Sequence, residues 1–461
     1  MRFVGILFLF FSTSVHADLS EKVEQLIQQK LPQATVGIVV KDVVTNEIVY
    51  SKNPDKLLAP ASSTKLLTAA AALYQLTPEY KFKTQLMTKG NDVYVVFNGS
   101  PSLTSKDLAS LLASLPKKIK GNLIIDVSHF KPPYYPGGTS FDDLGWYYAA
   151  PDTAAILDAN EVAFKFTSAR ILNKRVKIES QKPDNPLHLI NEVNTVSAQT
   201  EKNHCNMNIE VMPGNTLKLY GCLAQTKDPK VMRLAVPQPV ARARKLIEDY
   251  LKIHHIALNG HVNTGKAPAD AKMIASLESP ATEQLISHML QESDNLYANS
   301  FTKELGFAIT GEGSYKQGVF AIKQILSKNT SVDVKKIALY DGEGTRYNLL
   351  TAQQLVNLLD SLYQNQKLRE ILFKALPQSG SSGSLKARMT KTDLNHLVYA
   401  KTGTLHDASS LSGFLMRPER SPLVFSIIIN GVEKPIYIAK GLEEEILLAV
   451  YSRTSRPGAS H

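Results

Sequence analysis

Pro60-Ala61-Ser62-Ser63-Thr64-Lys65-Leu66-Leu67-Thr68-Ala69-Ala70-Ala71-Ala72-Leu73 is the stretch around which the rest of the chain organises. Alanine and leucine are good helix formers and Pro60 suits a helix entry, so the segment predicts a helix opening beside Pro60. Ser62 and Lys65 stand three positions apart, which places both on one face. At a helix start the positive end of the dipole stabilises negative charge on the serine oxygen and disfavours a protonated lysine. Read alone, the pair favours an exposed first-turn serine next to a lysine.

Outward from this helix the pattern is mixed. Ser20 to Lys30 has helical periodicity, and Thr35 to Val40 and Ile48 to Ser51 read as strands joined through Thr45-Asn46. Near the other end, Leu397 to Thr404, Leu411 to Met416 and Leu423 to Asn430 are strand candidates, and Gly441 to Tyr451 reads as a closing helix. Neither a two-strand nor a three-strand piece makes a comfortable sheet alone, so the two ends are expected to pair into one sheet of a discontinuous domain. From about residue 83 to 272 the pattern shifts to short strands and turns, including the Pro/Gly-rich Lys131 to Thr139 and the β-like Val176 to Leu223. Helical periodicity returns from Pro280 to Leu372.

Ser-x-x-Lys is a weak string, because it also occurs at Ser114, Ser128 and Ser300. Context separates them: Pro116 interrupts the second and Pro132-Pro133 follow the third. Ser300 lies in a helix directly behind Ser293-Asp294-Asn295, which itself follows the amphipathic Glu283 to Gln291. A third element, Lys401-Thr402-Gly403-Thr404, falls in a strand candidate. In this order and context the three strings resemble the Ser-x-x-Lys, Ser-x-Asn, Lys-Thr-Gly set of penicillin-binding proteins and serine β-lactamases.

The resemblance narrows to one branch, the type-4 low-molecular-mass penicillin-binding proteins, which are D-alanyl-D-alanine carboxypeptidase/endopeptidases. Asn98-Gly99-Ser100-Pro101-Ser102-Leu103-Thr104, Asp126-Val127-Ser128-His129-Phe130, Ala150-Pro151-Asp152-Thr153-Ala154-Ala155-Ile156 and Leu376 to Leu385 all resemble that family, so the likeness spans nearly the whole mature chain. It implies an α+β fold, with a transpeptidase-like antiparallel sheet and helices carrying two inserted, mainly β domains. The expected division is a leader at 1–17, a catalytic domain at 18–82 and 273–461, a first insertion at 83–165 and 236–272, and a second at 166–235. One departure is Asp341-Gly342-Glu343-Gly344-Thr345-Arg346, where the family has a serine in place of Glu343 and one more residue before the arginine.

The resemblance also implies roles. Ser62 would be the nucleophile and Lys65 its base, which requires a depressed pKa, since an unshifted lysine is neutral in only about one molecule in a few thousand at pH 7. Ser293 would relay a proton toward the leaving nitrogen, and Asn295 would hold Lys65 and the substrate amide. Lys401, Thr402, Gly403 and Thr404 would receive the terminal carboxylate, with the N–H groups of Ser62 and Thr404 as oxyanion hole. Asp143, in Phe141-Asp142-Asp143-Leu144, matches an aspartate that meets the side-chain amine of diaminopimelate. The expected partners are peptidoglycan stem peptides, with β-lactams as covalent inhibitors, and no metal or cofactor is required.

The composition of the 461 residues, 43% hydrophobic and 20% charged, is that of an ordinary globular protein. A net charge of +10 raises nucleic acid as a partner, but the basic residues are scattered and no recognition motif occurs. Met1-Arg2, the apolar Phe3 to Phe11 and the small-residue run to Ala17 have the parts of a secretory leader, which predicts cleavage after Ala17 and a periplasmic protein with at most peripheral membrane association. Export permits a disulfide between Cys205 and Cys222, the two cysteines; two buried free thiols is the other reading. With a Pro213-Gly214 turn and no bulge, the two would lie opposite each other on a hairpin. His-Glu-x-x-His and Gly-x-Ser-x-Gly strings do not occur, so metalloprotease and α/β-hydrolase readings lack their signatures. A serine β-lactamase or esterase on the same lobe, and a non-catalytic peptidoglycan-binding protein, are the competing readings.

Overall fold

A computed structural model describes residues 11–455 and divides the chain into two compact units. The first holds the described residues up to Pro78, Thr282–Asp294, and the described residues from Val319 onward; the second holds Glu79–Ala281 and Asn295–Gly318. Met1 to Phe10 of the expected leader lie outside the described residues.

In the first unit the two chain ends do form one antiparallel sheet. Its strand order is Val398–Thr404, Ala408–Leu415, Leu423–Asn430, Thr35–Asp42, Ile48–Lys52. The strand Leu423–Asn430 shows why both faces must be covered: it is buried along its length up to Ile429 and apolar at nearly every position. Leu423, Phe425, Ile427 and Ile429 alternate onto the face packed by Leu19, Val23, Ile27, Leu442 and Ile446, from the helices Phe11–Lys30 and Tyr437–Thr454. The helix Ala352–Gln364 packs against Leu423–Asn430 and Thr35–Asp42, its strongly one-sided apolar pattern burying Ala352, Leu355, Val356, Leu358, Leu359 and Leu362.

The second unit contains a five-stranded sheet in the order Val262–Thr264, Leu123–Asp126, Asp92–Val96, Lys83–Lys89, Lys272–Glu278. The helices Ser105–Leu112 and Pro239–Ile253 supply Leu108, Leu111, Leu112, Ala243 and Ile247 to its core. A separate apolar cluster, built on Val162, Phe164, Phe166, Leu217, Leu219 and Leu234, joins two three-stranded sheets.

Cys205 and Cys222 are bonded, with Cα atoms 5.7 Å apart. The expected register is corrected, however. Met207 pairs with Gly221 and Met212 with Thr216, so the turn holds Pro213, Gly214 and Asn215, and the two cysteines are offset by one residue rather than opposite. Proline and glycine serve hairpin loops of either two or three residues, so composition leaves the register open by one.

Candidate active site

The first turn of the Ser62 segment is tighter than expected. Ala61–Thr64 is a 3-10 turn and the α-helix proper runs Lys65–Gln75. Residues three apart eclipse in a 3-10 turn, and Lys65 Nζ accordingly donates to Ser62 Oγ at 2.8 Å. Ala61 has φ +48, a left-handed conformation that costs a non-glycine residue about 1–3 kcal/mol and persists only where its surroundings enforce it. Those surroundings are identifiable. Ser410 Oγ donates to Pro60 O at 2.6 Å, and Ser63 and Ser410 share a further hydrogen bond at 2.7 Å. Gly403 lets its strand pass against the turn, since a Cβ there would lie 2.4 Å from Pro60 O.

Lys65 is fully buried. Its ammonium makes a second donation, to the backbone oxygen of Glu343 at 2.8 Å. That loop is organised by the buried Asp341, whose carboxylate accepts from the N–H groups of Glu343 at 3.0 Å and Gly344 at 2.7 Å and from the Thr345 hydroxyl. Thr68 Oγ1 ties the helix to Gly342 O at 2.8 Å. The loop thus meets Lys65 through the main-chain oxygen of Glu343, and the charge of the Glu343 side chain also acts on it. Burial pulls Lys65 down to about 8, against the opposing charges of Glu343, Asp294 and Asp341. At that value roughly one lysine in ten is neutral at pH 7.

Lys401, on the strand Val398–Thr404, is also fully buried rather than exposed at a strand edge. It donates to Ser293 Oγ at 2.7 Å and to Thr402 O at 2.8 Å. Burial first, and then the charge of Lys65, hold it well below the ordinary lysine range. Ser293 itself has φ +58, a second left-handed non-glycine residue. The two strained residues flank the chemistry, as strain stored at functional positions does. Thr402 Oγ1 donates to Ser384 Oγ at 2.8 Å, Gly403 is buried, and Thr404 is exposed.

The structure therefore brings Ser62, Lys65, Ser293, Lys401 and Thr402 together within the first unit. Asn295 and Asp143 belong to the second unit. Asn295 opens the helix Asn295–Thr310 and donates through Nδ2 to Tyr148 O at 2.8 Å. Asp143 ends the 3-10 turn Phe141–Asp143 and accepts from the Tyr148 hydroxyl at 3.1 Å. Tyr148 thus bridges the two. The sequence reading missed it, as it missed the parts played by Ser384, Ser410 and the loop-organising Asp341, although Ser384 and Asp341 lie in segments already singled out. Of the other Ser-x-x-Lys strings, Ser300 and Lys303 are fully buried, and Lys303 is committed to Asp152 at 3.2 Å.

A two-ended antiparallel sheet flanked by helices, with a serine and lysine on one tight turn and a second buried lysine bonded to a second serine, defines a serine peptidase of the penicillin-binding-protein type. Residues 19–442 match the D-Ala-D-Ala carboxypeptidase 3 (S13) family, and the chain belongs to that family of serine-type carboxypeptidases. It is 29% identical over 423 residues to D-alanyl-D-alanine carboxypeptidase DacB of Haemophilus influenzae, covering 88% of this chain and 87% of that one. It is 28% identical to the D-alanyl-D-alanine carboxypeptidase of an Actinomadura species, covering 95% of this chain and 86% of the relative. The crystal structure of penicillin binding protein 4 from H. influenzae superimposes with a TM-score of 0.84 at 26% identity, covering 93% of this chain and 99% of that one. That protein has also been solved in complex with a β-lactam.

Proposed function

We propose that this protein is an exported DD-peptidase that removes terminal D-alanine from peptidoglycan stem peptides and also cleaves D-alanyl-diaminopimelate cross-links, through an acyl-enzyme on Ser62. The observation that carries the reading is the 2.8 Å contact between Lys65 Nζ and Ser62 Oγ, made by a lysine whose burial lowers it to about 8. Neutral Lys65 takes the Ser62 proton as Oγ bonds to the scissile carbonyl carbon. The carbonyl oxygen becomes an oxyanion received by the N–H groups of Ser62 and Thr404. As the C–N bond breaks, the proton passes through Ser293 to the departing amine, which is D-alanine in one reaction and the diaminopimelate amine in the other. Water then adds to the ester, gives a proton back toward Ser62, and releases the shortened peptide.

Lys401, Thr402 and Thr404 receive the terminal carboxylate, Asn295 the substrate amide, and Asp143 the side-chain amine of diaminopimelate. These roles rest on the sequence match. β-Lactams acylate the same serine, a reading supported by the complex of the H. influenzae relative. Export rests on the leader-like N-terminus and agrees with the disulfide; no described helix is long and apolar enough to cross a membrane. The finer division of the insertion, with a second inserted domain at 166–235, is favoured by a separate apolar cluster most of whose residues fall in that range.

Purified peptidoglycan digested with the enzyme and analysed by mass spectrometry tests the proposal. Loss of terminal D-alanine together with conversion of cross-linked dimers to monomers is expected. Rapid turnover of penicillin with intact peptidoglycan would instead establish a β-lactamase, and no acyl adduct at all a binding protein.

A further inference from the structure

In the segment from Phe141 to Ala149, Trp146 packs against the neighbouring apolar cluster, of which Asp143 and Tyr148 are not members. Neither of the segment's 3-10 turns, Phe141–Asp143 and Tyr147–Ala149, contains a buried residue. Core packing therefore does not set where Asp143 points. What holds the segment comes from the strand Lys230–Ala235. Ala235 N donates to Gly145 O at 2.8 Å, and Trp146 bridges to Leu234. Gly145, at φ +90, lies so close to the neighbouring strand Met207–Met212 that a Cβ would fall 2.4 Å from Ile209 Cγ2. From the strand Lys230–Ala235, Arg233 reaches over the segment, its guanidinium carbon 3.7 Å from the centre of the Tyr147 ring. Glu161 Oε1 accepts from Arg233 Nη1 at 3.0 Å and fixes the direction of the planar group. Tyr147 meets Tyr148 edge-on with centroids 5.4 Å apart, and Tyr148 donates to Asp143 while its carbonyl accepts from Asn295.

We propose that Arg233 is a positioning residue for substrate selectivity: by clamping Tyr147 it sets Tyr148, and through Tyr148 it holds Asp143 in the orientation that meets the substrate's side-chain amine. The last step rests on the proposed role of Asp143. Folding does not call for the Arg233 head group, since its strand is already paired with Glu161–Thr167 over six residue pairs and the side chain is 47% exposed. A guanidinium on an aromatic face is both a packing plate and a charge, which a methionine of similar length cannot replace. A strand outside the catalytic sheet thereby becomes a determinant of which stem peptide is preferred.

The test is the ratio of kcat/KM for a stem pentapeptide with a free side-chain amine to that for the same peptide acetylated on that amine. Arg233→Met is expected to lower this ratio about threefold to tenfold, mainly through KM, with melting temperature and penicillin acylation rate near wild type. Arg233→Lys should recover part of it. Tyr147→Leu, which removes the ring under the guanidinium, should lower the ratio similarly and reports independently should Arg233→Met lose stability. An unchanged ratio in Arg233→Met and Tyr147→Leu, alongside a collapsed ratio in Asp143→Ala, overturns the clamp and leaves the Asp143 reading standing. An unchanged ratio in Asp143→Ala overturns that reading and the clamp with it.

Discussion

Lys401 Nζ donates to Ser293 Oγ across 2.7 Å, although 108 positions separate the two in the chain. The bond joins the loop after the helix Thr282–Gln291 to the first strand of the sheet and puts a second amine beside the Ser62–Lys65 pair. Two fully buried lysines in one enclosure cannot both carry charge without large cost, so at least one is held neutral at a pH where ordinary lysines are charged.

Labelled penicillin is expected to form a long-lived adduct at Ser62, because a strained lactam mimics the D-Ala-D-Ala amide. Peptide mapping locates it. Label on Ser114, Ser128 or Ser300, or undiminished labelling of Ser62→Ala, overturns the assignment.

The rate of that acylation should rise about tenfold per pH unit and level off above about 8, as Lys65 loses its proton. Glu343 opposes the depression of Lys65, so Glu343→Gln should move the rise to lower pH. A shift to higher pH, or none, would contradict the electrostatic account. The same displacement has a stability consequence of fixed sign. Between about 8 and the ordinary value of 10.5 the unfolded chain binds the proton that the folded one has lost, so the contribution of Lys65 to stability increases with pH across that window.

Lys401→Met keeps most of the buried volume and removes the amine. Turnover of substrates with a free terminal carboxylate should fall at least about tenfold, far more than melting temperature changes. Equal losses on a carboxylate-free ester analogue would argue against carboxylate binding.

Replacing both Cys205 and Cys222 by serine is expected to cost roughly 2–4 kcal/mol in the stability of the second unit. Penicillin acylation of Ser62 should be unaffected. Two thiols open to alkylation in unreduced, denatured protein would rule the bond out.

Asp143→Ala should lower kcat/KM for a stem peptide with a free side-chain amine by about tenfold or more, and have no effect once that amine is acetylated. Asp142, exposed beside it, serves as the control. Loss of the preference in Asp142→Ala and its retention in Asp143→Ala would transfer the role to the neighbour.

Much of this was legible in the chain because it is local or periodic. Helix-forming residues after Pro60, the apolar run of Leu423 to Asn430, and the order of three short motifs follow from residue type and spacing alone, and these are what secondary structure reads. The 3-10 form of the Ser62 turn was not legible, because Ala61 at φ +48 is enforced by Ser410 and Gly403, far along the chain, packing against the neighbouring Pro60 carbonyl. The hairpin register of Cys205 and Cys222 was missed by one residue for the related reason that turn length is settled by the strands it joins.

The sequence by itself determined which residues are available for the chemistry and that its two ends share a sheet, since these depend on residue type, order and period. Only the tertiary structure decided that Lys65 and Lys401 are buried and depressed, that Glu343 contributes its main-chain oxygen, and that Tyr148 joins Asn295 to Asp143. Desolvation and hydrogen bonding depend on what surrounds a group in space, and those surroundings come from segments that no local pattern connects.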